Sequence, residues 1–133
     1  MTFYRRAIYR FEPQTPAGYN RFMTMPPDLP EQLLDNLPYS IVYADLNHII
    51  RYLNPAGKAH YAKFGELAGK SLFDCHNESS RQAILDYVRR LEAGEDEILY
   101  HETPEKKVYI RSVRDADGVM AGYCEIQEPT TRH

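Results

Sequence analysis

The chain has 133 residues, 43% of them apolar, with eleven tyrosines, no tryptophan and a formal net charge of −3. That length suits one domain with a single core, and the apolar share excludes wholesale disorder. The acidic balance argues against nucleic acid as a partner. No apolar run approaches the ~20 residues of a membrane span, and the start lacks the apolar stretch of a signal peptide. A cytoplasmic protein without a membrane partner is expected, and a structural disulfide between its two cysteines is not.

Residues 1–27 read as a basic N-terminal arm, partly disordered or adding a strand at Phe3–Phe11. It carries Arg5, Arg6, Arg10 and Arg21 against Glu12, and its prolines break regular structure. The acidity therefore lies in residues 28–130, the expected folded domain.

Leu29, Leu33, Leu34 and Leu37 form an apolar stripe, which predicts a helix from Asp28 to Leu37, closed by Pro38. Ser40–Ala44 and Ile49–Leu53 flank Asp45-Leu46-Asn47 and predict a hairpin. Asn54-Pro55 supplies an N-cap and a first-turn proline for a short helix running to Phe64 and ending at Gly65. One or two single helical turns fit the broken stretch from Glu66 to Asn77. Ser79 and Gln82 have capping-box spacing, predicting a long helix from Ser79 to Ala93 with Ile84, Leu85, Val88 and Leu91 buried. Three strands follow, Glu97–Thr103, Lys106–Arg114 and Val119–Glu128, joined by a Pro104 turn and by Asp117-Gly118. Five antiparallel strands, with helices grouped between the second and third, make an α+β domain.

Three segments in this order resemble the PAS domain: LPEQLLDNLPYSIVYADLNHIIRYLNPAG, GKSLFDCHNESS and VYIRSVRDADGVMAGYCEIQEP. The resemblance covers about residues 29–128. It is closer to a bacterial and archaeal PAS subfamily with a Cys-His pair, often found beside hemerythrin-like domains. Asn77 departs from the proline that usually follows that pair. The resemblance implies a curved five-stranded antiparallel sheet with short helices and one long helix on one face, and a pocket between them. It implies a sensor or signalling domain for a small ligand or cofactor, homodimeric and acting on a separate output protein. A ligand-free dimerisation or protein-interaction module is the alternative.

The candidate ligand contacts are His76, Cys75, Tyr43, His60, Arg111 and Tyr123. His76 has three readings: a ligand to heme iron, a contact to an organic ligand, or a ring that bonds a backbone carbonyl and closes a turn. Cys75 is either a reactive thiol or a small buried hydrophobe. His60 sits between Lys58 and Lys63, which suits a solvated side. The tyrosines should be mostly core, with one or two lining a pocket. Arg111 faces either outward, paired with Glu125 across the hairpin, or inward toward an anion, because both faces of its strand carry apolar residues.

Structural zinc is not expected, since no paired ligand spacing is present. An enzyme is not expected either. There is no phosphate loop or GxGxxG, and consecutive Asp74, Cys75 and His76 cannot converge on one reacting atom.

Overall fold

The computed structural model describes residues 26–130. The strand reading at Phe3–Phe11 lies outside them, as does nearly all of the arm.

Helix α1 (Leu29–Asp35) is followed by strands β1 (Ile41–Asp45) and β2 (Ile50–Leu53) and by helix α2 (Pro55–His60). Single 3-10 turns occupy Ala62–Phe64 and Leu72–Cys75. Helix α3 (Glu78–Glu92) then leads to β3 (Glu97–Glu102), β4 (Lys106–Arg114) and β5 (Met120–Pro129). The sheet order is β2-β1-β5-β4-β3, with every neighbouring pair antiparallel. The expected α+β architecture is the one observed, and the last strand lies at the centre of the sheet.

Local chemistry explains most boundaries. The Asn54 side chain accepts from the Gly57 N–H at 2.8 Å and caps α2. Gly65 ends the following turn at φ 74°, a conformation glycine reaches without a Cβ penalty. The Asp115 carboxylate accepts from the N–H groups of Asp117 and Val119 and fixes the last hairpin turn, while Gly118 takes φ 83°.

The capping box at Ser79 and Gln82 is corrected. Helix α3 starts one residue earlier, and extended Asn77 caps it by accepting from the Ser80 N–H at 2.9 Å. Gln82 instead donates to the Glu78 carboxylate at 3.0 Å, one turn back.

The core lies between the concave sheet face and α3. Val88 and Leu91 pack there with Ala44, Ile98, Ile110, Met120 and Tyr123. A second cluster, Val42, Ile50 and Leu53, sits under Tyr61, Leu67 and Leu72. Fully enclosed side chains such as Ile50 and Leu91 each contribute about 1.5–3 kcal/mol. The edge of β2 is covered by its own downstream chain: Ile50 N–H donates to Lys70 O, and Leu72 N–H to His48 O. Helix α1 stands apart, with none of its residues buried. It is held by the Tyr52 hydroxyl, which donates to Asp35 at 2.5 Å, and by Asn54, which donates to Leu34 O at 3.1 Å.

Candidate functional site

Strand register decides which side chains enter the concavity. Across β4 and β5, Ile110 pairs with Glu125, Val108 with Gln127 and Ser112 with Tyr123. Across β1 and β5, Val42 faces Glu125 and Ala44 faces Tyr123. Directly opposed residues share a face, so Tyr123, Glu125 and Gln127 point inward together, while Cys124 and Ile126 point outward.

Between this face and the helical segments lies a cavity of about 180 Å³. Its floor is apolar, formed by Val42, Ala44, Ile50 and Ile110, and Leu72 and Ile84 close it from the helical side. Polar atoms gather at two places. Glu125 is the centre of the first. Tyr61 and Tyr100 each donate a short hydrogen bond to its carboxylate, and Gln127 donates to it at 3.2 Å. Gln127 also donates to the Tyr61 hydroxyl at 3.1 Å and accepts from Lys106 at 2.8 Å. Tyr100 leaves part of its ring at the surface yet turns its hydroxyl onto Glu125. Burial, and then the neighbouring carboxylate charge, push that phenol far above its ordinary range, so it remains a donor.

The second polar place has His76 and Tyr123 on the cavity wall, with His48 behind Tyr123. His76 closes the turn before α3, where its Nδ1 donates to Leu72 O at 2.7 Å, and its ring lines the cavity. Carbonyl oxygen only accepts, so Nδ1 carries the proton in this bond. His48 sits in the β1–β2 turn at φ 65°, a left-handed conformation uncommon for a residue with a Cβ. Its Nδ1 lies 2.8 Å from the Tyr123 hydroxyl, and its ring packs 4.5 Å from that of Phe73. Burial lowers the His48 pKa below its ordinary 6.5, against the opposing charges of Asp45 and Glu92. Burial raises the Tyr123 phenol well above its ordinary range.

Of the residues singled out from sequence, His76 and Tyr123 line the cavity. Cys75 ends the 3-10 turn just before His76. The other three are not among the described residues that line it. Tyr43 pairs with Cys124 on the convex face, and its hydroxyl donates to Ala121 O at 3.2 Å. His60 is exposed and rests edge-on against Tyr61 at 4.6 Å. Arg111 points outward, but its partner is Glu97 on β3, at 3.2 Å, rather than Glu125. The pairing misses by one residue: Arg111 lies opposite Cys124, and Glu125 is on the other face.

Glu125 and His48 were not singled out from sequence. Alternation of Tyr123, Glu125 and Gln127 was the available signal for Glu125, but a charged residue in a strand reads by default as solvent-facing. His48 had none, since its approach to Tyr123 spans the sheet. Among the described residues, no three His, Cys, Asp or Glu side chains cluster as a metal site, and no helix is long and apolar enough to cross a membrane.

The sequence matches the family model for the PAS domain over residues 31–128. The chain belongs to the PAS domain family, whose members are in general sensory and interaction modules. No curated protein matches it. Among solved structures it is similar to a C-terminal domain from Streptococcus mutans, with TM-score 0.65, 20% identity, and coverage of 79% of this chain and 85% of that one. It is also similar to the PAS domain of a Colwellia psychrerythraea protein, with TM-score 0.60, 14% identity, and coverage of 80% and 98%. A sensory box sensor histidine kinase from Vibrio cholerae aligns with TM-score 0.55, 15% identity, and coverage of 77% and 87%. At these identities the likeness speaks for the fold.

Proposed function

We propose that this PAS domain is a sensor that binds a small molecule between its sheet and helices. The observation that carries the reading is the cavity itself: apolar walls around about 180 Å³, with oriented polar groups at Glu125 and at His76. Binding sites commonly combine apolar enclosure with a few such groups. The volume lies below the ~300 Å³ at which sites for drug-sized ligands begin, so a compact molecule suits it better than a porphyrin.

The Cys75-His76 pair supports the narrower subfamily assignment, and His76 remains the residue on which a heme reading would stand. Absorption spectra after hemin addition test that reading: a Soret band lost in His76→Ala supports it, and no band removes it. The broader reading is tested by a thermal-shift screen of small metabolites on the wild type and on Ala44→Phe, which fills the cavity floor. Compounds that stabilise the wild type alone support an internal site. Compounds that stabilise both equally count against it.

A second function, self-association through α1, has its own support. Leu33 is 62% exposed and Leu34 38% exposed, on a helix with no fully buried residue among the described residues. A homodimer sealed along this stripe would cover both. Sedimentation of the wild type and Leu33→Asp tests it, and equal masses would sink it.

A further inference from the structure

The cavity's aromatic residues are grouped around Glu125, the one carboxylate among the described residues that line it. Tyr61 and Phe64 form one pair, with ring centroids 6.4 Å apart, and Tyr87 and Tyr100 form another at 5.5 Å. All four line the cavity together with Tyr123 and Glu125. One member of each pair, Tyr61 and Tyr100, donates its hydroxyl to Glu125, so the two aromatic pairs flank the acid. Aromatic faces carry partial negative charge and attract cations, more strongly where water is excluded. A carboxylate inside such a ring-lined space adds a full negative charge.

That charge is hydrogen-bonded but not neutralised. Among the described residues no ion pair reaches Glu125. Lys106 is spent on Gln127, and Arg111 turns outward to Glu97. A part-buried carboxylate without a counter-ion is costly. Its oxygens already accept from Tyr61, Tyr100 and Gln127. An incoming N–H donor would have to compete with these groups, whereas a quaternary ammonium supplies charge without needing a lone pair. Its methyl groups also suit the apolar floor.

We propose that the cavity takes a small alkylammonium ion, its cationic head held between the two aromatic pairs and over Glu125. This deepens the small-molecule reading above and rests on it. The cavity of about 180 Å³ has room for a head group of choline's size but not for a long tail.

The test pairs choline with 3,3-dimethylbutan-1-ol, which has the same shape and no charge. Both are titrated into the full chain, with the Ile84 and Ile110 methyl resonances followed by NMR. Choline should shift these resonances and bind at least roughly tenfold more tightly than the alcohol. Glu125→Gln should narrow the gap by weakening choline far more than the alcohol, and the alcohol's continued shift of the cavity methyls shows that the variant folds. Tyr87→Leu, which leaves the carboxylate in place, should weaken choline more than the alcohol. Equal affinities in the wild type, or choline binding indifferent to Glu125→Gln, would overturn the cation assignment and leave the cavity as a neutral-ligand site. If neither compound shifts the cavity methyls, the alkylammonium assignment falls, while the small-molecule reading is decided separately by the thermal-shift screen.

Discussion

Asn54 links three elements, and its removal should be the most damaging polar substitution in the domain. Its side chain is 0% exposed and makes four hydrogen bonds. The amide oxygen accepts from Ile41 N–H at 3.0 Å and Gly57 N–H at 2.8 Å. The amide nitrogen donates to Leu34 O at 3.1 Å and Tyr39 O at 2.9 Å. In Asn54→Ala the lost cap costs about 1 kcal/mol. The buried Ile41 N–H, left without an acceptor, costs about 1–3 kcal/mol more. Leu34 and Tyr39 sit near enough to solvent for their carbonyls to regain water, so they add little. The expected loss is about 3 kcal/mol, or roughly 10–15 °C in melting temperature for a domain of this size. Urea unfolding followed by circular dichroism measures it, with an unchanged slope confirming a folded-state effect. Asn54→Asp separates the two halves. It keeps the acceptor and is a good N-cap, but turns an oxygen toward the two carbonyls in place of a donor. It should fall within about 1 kcal/mol of the alanine variant. A loss below about 1 kcal/mol for alanine, or a near-wild-type aspartate variant, would refute the reasoning.

Three further outcomes are expected. His48 has a folded-state pKa lowered from 6.5 by burial, so the unfolded chain binds its proton more readily; stability is full above 6.5 and declines as pH falls below it. His48→Gln should flatten the stability profile between about pH 7 and 5, and identical profiles would contradict this. A Cβ on Gly122 would lie 2.4 Å from Ala44 O and 2.5 Å from the Tyr43 hydroxyl oxygen. The carbonyl is held in the β1–β5 ladder and cannot yield, so Gly122→Ala should lose about 1–3 kcal/mol, and an unchanged melt would count against it. Burial raises the Cys124 thiol to about 11 from an ordinary 9.0. In a Cys75→Ser background, iodoacetamide at about pH 8 should therefore meet roughly a hundredfold less thiolate in the folded than in the unfolded chain, and equal rates in the two states would refute it.

Sequence determined the order of elements, the turns and the family, because these depend on short-range chemistry. Asn54-Pro55, Gly65 and Asp117-Gly118 each impose backbone geometry within a few residues, wherever the rest of the chain goes. The same local chemistry misled at α3, where Ser79-x-x-Gln82 has capping-box spacing but the cap is Asn77. Only the true first turn, set by where α3 packs on the sheet, chose Asn77. Tertiary structure alone decided the contents of the cavity. Strand alternation defines two faces but does not say which is concave, and β4 carried apolar residues on both. Pairing with β5 resolved this: it sent Arg111 outward to Glu97 and turned Glu125 inward onto Tyr61 and Tyr100. Those partners come from a helical turn and from an edge strand far apart in sequence. No local signal announces their meeting, because sheet register and helix docking create it.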